Sequence, residues 1–296
     1  MITDRIRADD GGTCAVALVG LPFDGAIPTR PGARHGPAAL RAALARFAAD
    51  AGSRGWPEAV TVSDLGDLPL DGQGVAAVHR QVAQSLEGIL GRIGWLLAVG
   101  GDHSLTFPVF QALAAARGGA WGLVTLDAHH DVRPYTLDRI TSGTPFRRCL
   151  ELGPDVLPPA RLVQIGLRPH ANALEHRTWC EERGVALYDV EDVRARGAAA
   201  VAVEALARAG DGADHLYLSL DLDVLDQAEA PGTSAAGPGG LTLREVLDLV
   251  TPLAASPLCT GADIMELSPR WDADGLTARA AARCLLAMVT ARWGSA

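Results

Sequence analysis

The sequence contains no lysine: all 26 of its basic residues are arginine. That absence excludes a Schiff-base lysine, a pyridoxal-phosphate lysine and the lysine of a phosphate-binding loop. Cysteine is sparse and scattered. Its five positions, Cys14, Cys149, Cys180, Cys259 and Cys284, include no C-x-x-C pair. They suggest a reducing compartment rather than a disulfide framework. There is no G-x-S-x-G motif, and no cysteine has a histidine partner in sequence, so a protein nucleophile is not indicated. No apolar run reaches about 18 residues, and no membrane-spanning helix is expected. The first residues carry Asp4, Asp9 and Asp10 beside Arg5 and Arg7. No basic stretch leads into an apolar core there, so no secretory leader is expected and the expected location is cytoplasmic. Positive charge is in short supply. The formal net charge is -9, which gives no attraction to nucleic acid or to an anionic membrane as partner.

What the chain does have is apolar residues in quantity, 48% of 296. That is enough for a sizeable core, and no long linker, repeat or low-complexity tract divides it. One domain over residues 1–296 is expected. Short apolar runs predict strands over 15–20, 59–63, 95–99, 121–126, 161–167, 216–220 and 260–267. Helical periodicity predicts helices over 35–49, 74–91, 104–116, 241–250 and 275–290. Pro37 falls in the first turn of the first helix, where its missing N–H costs little. Ser104 is the expected cap of the third. Continuous apolar strands alternating with helices predict an α/β fold, a mostly parallel sheet covered on both faces.

The polar residues collect just beyond three of these strands. Gly100-Gly101-Asp102-His103-Ser104 follows the 95–99 strand, Asp127-Ala128-His129-His130-Asp131 the 121–126 strand, and Asp221-Leu222-Asp223 the 216–220 strand. In open α/β sheets ligands bind outside the carboxyl ends of the strands. Read as extended chain, Asp127-x-His129-x-Asp131 and Asp221-x-Asp223 put their side chains on one side. With His103 the set is four carboxylates and two imidazoles, too many for one ion and suited to two. An oxygen-rich set with a minority of imidazole favours Mn²⁺-type ions over structural Zn²⁺. Two divalent cations also relieve the mutual repulsion of the carboxylates. His35, His79, His170, His176 and His215 lack partners in sequence and read as structural.

At these motifs the sequence resembles the ureohydrolase family, which holds arginases, agmatinases and formimidoylglutamases. The likeness continues through Ser219-x-Asp221-x-Asp223-x-x-Asp226 and Asp263-Ile264-Met265-Glu266-Leu267-Ser268-Pro269. It is also seen in the opening Gly20-Leu21-Pro22-Phe23-Asp24 and Arg30-Pro31-Gly32-Ala33-Arg34. It therefore covers nearly the whole chain. The resemblance implies a three-layer αβα fold, two Mn²⁺ per chain and a homo-oligomer, trimer or hexamer. It implies one metal on His103, Asp127, Asp131 and Asp221, and the other on Asp127, His129, Asp221 and Asp223. A water-derived hydroxide would attack an amidine or guanidine carbon, and Glu266 would hold the substrate's cationic nitrogens.

One departure bears on the substrate. Arginases and agmatinases carry a histidine where this chain has Ser142, so the leaving nitrogen must be protonated otherwise, with Asp131 and His130 the candidates. Asp127-Ala128-His129-His130-Asp131-Val132-Arg133 and the run from Asp223 to Gly232 are similar to formimidoylglutamases. These cleave N-formimidoyl-L-glutamate to L-glutamate and formamide in histidine degradation. That substrate carries two carboxylates, so Arg133, with Arg147 or Arg148, is the expected clamp and Ser142 an expected contact. Two alternatives stand beside this reading. One is a guanidino-hydrolase that releases urea, and the other is a non-catalytic metal-binding protein of the same fold.

Overall fold

The computed structural model describes residues 1–49, 56, 60–70, 72 and 74–293. Nine parallel strands form one sheet among them: β1 (Ile6–Ala8), β2 (Cys14–Leu21), β3 (Val62–Asp67), β4 (Ile93–Gly100), β5 (Trp121–Leu126), β6 (Leu162–Leu167), β7 (Ala186–Asp189), β8 (His215–Asp221) and β9 (Cys259–Met265). Their order is β1-β3-β2-β4-β9-β8-β5-β6-β7. The helices are α1 (Gly36–Leu44), α2 (Val75–Glu87), α3 (Thr106–Arg117), α4 (Pro145–Leu150), α5 (Leu174–Glu181), α6 (Val190–Arg196), α7 (Ala198–Gly210), α8 (Leu243–Ala255) and α9 (Leu276–Trp293).

Strand alternation builds two cores. On β4, Trp95, Leu97 and Val99 face the core covered by α1 and α6 to α9. Leu96 and Ala98 face the one covered by α2 to α5. Because both faces are covered, the central strands β2, β4, β5, β6 and β8 read as largely apolar runs, whereas β1 and β3 at one edge carry polar residues. The expected three-layer αβα architecture is what forms.

The differences from expectation are local. The first helix stops at Leu44 rather than 49. The strand expected over 59–63 begins at Val62, and Ala59 lies outside the described residues. Ser104 is not the cap before α3. Asp102 is: its side chain accepts the Ser104 N–H and starts a 3-10 turn, His103–Leu105, from which α3 continues. The aspartate oxygen reaches the free N–H two residues on. The additional elements β1, β7 and α4 to α7 carry weaker signals. β7 is a four-residue edge strand, and α5 is mostly solvent-facing with a single buried residue, Cys180.

Chain order and spatial order part company at the middle of the sheet. β4 and β5 are successive in sequence yet lie apart, and β9 and β8 fill the gap between them. The carboxyl ends of β4, β9, β8 and β5 are therefore neighbours, although they are far apart in the chain.

Candidate metal centre

Each of those four ends contributes. β4 leads into His103, β9 into Glu266, β8 ends on Asp221 with Asp223 two residues on, and β5 leads into Asp127, His129 and Asp131. Two groups of donors have ligand atoms within 4.8 Å of one another: His103 with Asp127 and Asp131, and His129 with Asp127 and Asp223. Asp127 belongs to both. Its Oδ2 lies 3.2 Å from His103 Nδ1 and its Oδ1 3.4 Å from His129 Nδ1. Asp221 Oδ2 is 3.0 Å from His103 Nδ1, and Asp223 Oδ2 is 3.0 Å from His129 Nδ1. All six sequence-predicted ligands thus meet in one place.

They do not meet in the way that extended chain would bring them. His129 N–H donates to Asp127 Oδ1 at 2.6 Å, so the segment bends at once after β5. Asp131 sits at φ +48°, a left-handed conformation that costs a non-glycine residue roughly 1–2 kcal/mol. Asp221 Oδ1 accepts the Asp223 N–H at 2.8 Å and caps a 3-10 turn. Alternation named residues that do converge, and turns rather than extended chain bring them together. Glu266 is strained likewise, at φ +67°, and its N–H donates to Gly101 O at 2.9 Å.

Gly101 is glycine for steric reasons. A Cβ there would fall 1.7 Å from the Phe23 carbonyl oxygen. The residue 20–25 loop therefore lies directly against the turn that presents His103.

The electrostatics call for a cation. His103 Nδ1 and Asp127 Oδ2 are fully buried without hydrogen-bond partners, and they face each other. Desolvation works against protonating His103, yet the carboxyls of Asp127, Asp131 and Asp221 outweigh it and raise its pKa well above the usual range. His129 is driven up to about 12, with Asp223 and Asp127 overcoming desolvation. Asp131 rises to about 6 through burial and the Asp127 charge. Asp221 is raised for the same reason, by burial and by Asp223 and Asp127. Imidazoles that bind protons this strongly are standing in for missing positive charge. The donors are oxygen-rich with a minority of imidazole, so the residues fit hard or borderline divalent ions such as Mn²⁺.

A second set of residues orients His103; Ser219 and Asp263 stand in the sequence motifs, but nothing in the sequence gives them this role. Its Nε2 lies 3.0 Å from Ser219 Oγ. Ser219 donates to Asp263 Oδ1 at 2.7 Å, and Asp263 Oδ2 accepts from Thr106 Oγ1 and Tyr217 OH, both at 2.8 Å. This chain turns Nδ1 toward the carboxylates. Ser219 and Asp263 are register partners across β8 and β9, a relation that becomes visible only once the strand order is known.

The remaining predicted site residues divide. Glu266 is buried; Oε1 accepts the His103 N–H at 2.8 Å and Oε2 has no hydrogen-bond partner. Burial, reinforced by Asp102, pushes its carboxyl up to about 8. Arg133 is exposed and its side chain runs across Gly143, next to Ser142; among the described residues it forms no ion pair. Ser142 is half-buried, and its N–H donates to Ala26 O at 3.0 Å. Three expectations need correction. His130 turns away from the cluster: its Nδ1 meets Gln164 Oε1 at 2.7 Å beneath α5. Arg147 is committed to Val132 O and to the Trp179 ring. Arg148 is buried against His79 and Phe107. Arg148 is buried away from any substrate, and Arg147 is held in place through its Nε and its stacking on Trp179.

A carboxylate-rich two-group centre at the adjoining strand ends of a parallel αβα sheet defines a metal-dependent hydrolase. Comparison with known proteins narrows that class. The chain belongs to the arginase family, whose model matches residues 14–290. It is 35% identical to a formimidoylglutamase of Halalkalibacterium halodurans over 272 residues, 91% of this chain and 84% of that one. It is 36% identical to a guanidinopropionase of Pseudomonas aeruginosa over 293 residues, 96% of this chain and 90% of that one. Among solved structures, a formimidoylglutamase from Bacillus subtilis superposes with a TM-score of 0.92 at 30% identity, covering 98% of this chain and 91% of that one. No helix among the described residues is long and apolar enough to cross a membrane.

Proposed function

We propose that the protein hydrolyses N-formimidoyl-L-glutamate to L-glutamate and formamide. The observation that carries this reading is Arg133: an exposed cation, unpaired among the described residues, beside the loop of Ser142 and two residues past Asp131. An acidic substrate satisfies it and a cationic one such as agmatine does not. The similarity to formimidoylglutamases along nearly the whole chain supports the same substrate.

His103, Asp127, Asp131 and Asp221 would hold one Mn²⁺, and Asp127, His129, Asp221 and Asp223 the other. The ions supply charge neutralisation and lower the pKa of water. The protein's own groups do the rest. The two oxygens of Asp127 face opposite halves of the centre, as a shared ligand requires. Ser219 and Asp263 hold His103 in one orientation. Glu266 Oε2, buried and free, accepts an N–H of the substrate amidinium, and Arg133 pairs with a substrate carboxylate, with Ser142 beside it. Water adds to the amidine carbon, and the bond from that carbon to the glutamate nitrogen breaks. The water oxygen leaves in formamide. Asp131 passes the water's proton to the departing amine; His130 is turned to Gln164 and is not placed for it. As a homo-oligomer the protein would follow its family, and a cytoplasmic location would suit its substrate.

A second reading keeps Arg133 and changes the product. A guanidino acid also carries a carboxylate, and the guanidinopropionase similarity supports it. The test is a product assay on Mn²⁺-loaded protein. Formimidoylglutamate, 3-guanidinopropionate, 4-guanidinobutyrate, agmatine and arginine are each offered alone. Glutamate with formamide from the first is the expected result. Urea from any guanidino compound, with the first inert, would overturn it.

A further inference from the structure

Behind the centre lies a buried arginine that forms no ion pair among the described residues. Arg148, on α4, is 7% exposed and stacks over Phe107 at 3.8 Å. Its guanidinium donates to His79 Nδ1, on α2, at 2.6 Å. Arginine can only donate, so Nδ1 must accept and the ring proton sits on Nε2. That nitrogen lies 2.9 Å from Ser104 Oγ and donates to it. The Ser104 hydroxyl in turn donates to Asp102 Oδ1. The second oxygen of Asp102 accepts the Ala26 N–H at 2.9 Å, and Ala26 O accepts the Ser142 N–H at 3.0 Å. Ser142 and Arg148 are six positions apart in the chain, so the path closes on itself.

The result is a ring with two arms that converge on one buried carboxylate. One arm runs Arg148, His79, Ser104, Asp102; the other runs Ser142, Ala26, Asp102. The cation and the anion are joined through two neutral groups, which satisfies both without direct contact. Burial keeps the imidazole neutral, pushing its pKa down to about 3, so its tautomer is fixed by its neighbours. The ring encloses the segment that carries Gly143. Arg133 is tied to that glycine: its N–H donates to Gly143 O at 2.9 Å, and its side chain lies across it.

We propose that His79 and Arg148 are positioning residues that hold the Ser142–Gly143 loop, and Arg133 with it, against the segment that carries Asp131, for substrate binding. None of the six donor residues belongs to the ring, and its His79 and Arg148 lie on α2 and α4, outside the turn that presents His103, so cutting the ring at His79 leaves the donors themselves in place. The kinetic part of this proposal rests on the acidic-amidine reading; the structural part does not.

The test compares His79→Leu with His79→Gln in the full Mn²⁺-loaded chain. Leucine removes the acceptor of Arg148 and the donor to Ser104, whereas a glutamine amide offers one acceptor and one donor. In His79→Leu, amide hydrogen exchange over residues 24–34 and 141–148 should quicken by about tenfold, the loss expected of one hydrogen bond to a charged group. Exchange in β4 and β5 should not change. KM for formimidoylglutamate should rise about tenfold with kcat within about threefold. Bound Mn²⁺ per chain should stay at the wild-type value, and His79→Gln should restore both exchange and KM. If the leucine variant does not fold, Ser104→Ala cuts the same arm while removing a single oxygen. Unchanged exchange in both segments overturns the positioning role, whatever the substrate is. Faster exchange with unchanged KM overturns the link to binding. Should a guanidino acid be the substrate, its KM is read in place of that of formimidoylglutamate, and the exchange result stands.

Discussion

Asp263 gives the sharpest test of how this centre is built. It touches none of the other acidic donors, yet three buried hydroxyls, those of Ser219, Tyr217 and Thr106, donate to it. Asp263→Ala leaves all three without their acceptor. A buried polar group left unsatisfied costs about 1–3 kcal/mol. Part of that loss is relieved when the hydroxyls rotate, so the sum expected is roughly 3–5 kcal/mol. At about 2 °C per kcal/mol for a chain of this size, Tm should fall by roughly 6–10 °C. The second effect is on the metal. Ser219 loses its anchor, His103 loses its fixed orientation, and Mn²⁺ affinity should drop about 10- to 100-fold. Asp263→Asn keeps one acceptor oxygen and should fall between the variant and the wild type on both counts. Chelator competition measures the affinity and a thermal melt the stability. An Asp263→Ala protein that binds Mn²⁺ as tightly as wild type would refute the orienting role, even if its Tm fell as expected.

Asp127→Ala should remove both metal positions together, because one carboxylate faces both groups; two ions retained per chain, by elemental analysis, would contradict a shared ligand. Arg133→Ala should raise KM for the acidic substrate about 10- to 100-fold with little change in kcat, and steady-state kinetics showing an unchanged KM would remove the carboxylate clamp. The metal-free protein should lose stability as pH rises from 5 to 8. Glu266 rises to about 8 and Asp131 to about 6 in the fold, so the folded chain holds protons that the unfolded chain releases near pH 4. Their contribution is complete below that pH and is lost as pH climbs through the folded values. His129, raised to about 12, acts in the same direction above pH 6.5. Mn²⁺ should reverse the slope, since ligands shed protons on binding. Melts in chelator that rise with pH would sink this reasoning, and Glu266→Gln should flatten the chelator curve.

Much of the site was legible in the sequence because the chemistry sits at strand ends. An apolar run followed at once by Asp and His leaves little choice about where those side chains lie. The route by which they converge was not legible. Asp131 and Glu266 adopt left-handed conformations, and Asp221 caps a turn, so alternation predicts neither. The Ser219–Asp263 relay depends on β8 lying beside β9 in a particular register, and register is a property of the assembled sheet. His79 reads from the sequence as a structural histidine without a partner, and it is a buried one bonded at both ring nitrogens. Its link to Arg148 and Asp102 joins three elements that have no pattern in common. Residues 198–210 are rich in alanine, and their helix shows mainly through propensity, a weaker signal than polar periodicity.

The insertion of β9 and β8 between β4 and β5 also sets a schedule. A ribosome adds about 5–20 residues per second. Roughly 130 residues separate Asp131 from the end of β9, so about 7–27 s pass between the making of the ligands that follow β4 and β5 and the strand that closes the gap. β5 presents an open edge until β8 is made, and β4 keeps one until β9 arrives, the kind of edge that invites foreign pairing. The centre is therefore enclosed only when β9 docks, with α9 alone of the described α-helices still to follow. A chain that stalls before β9 carries all six ligands, but β4 and β8 each keep an unpaired edge and the two halves of the set have no strand to join them.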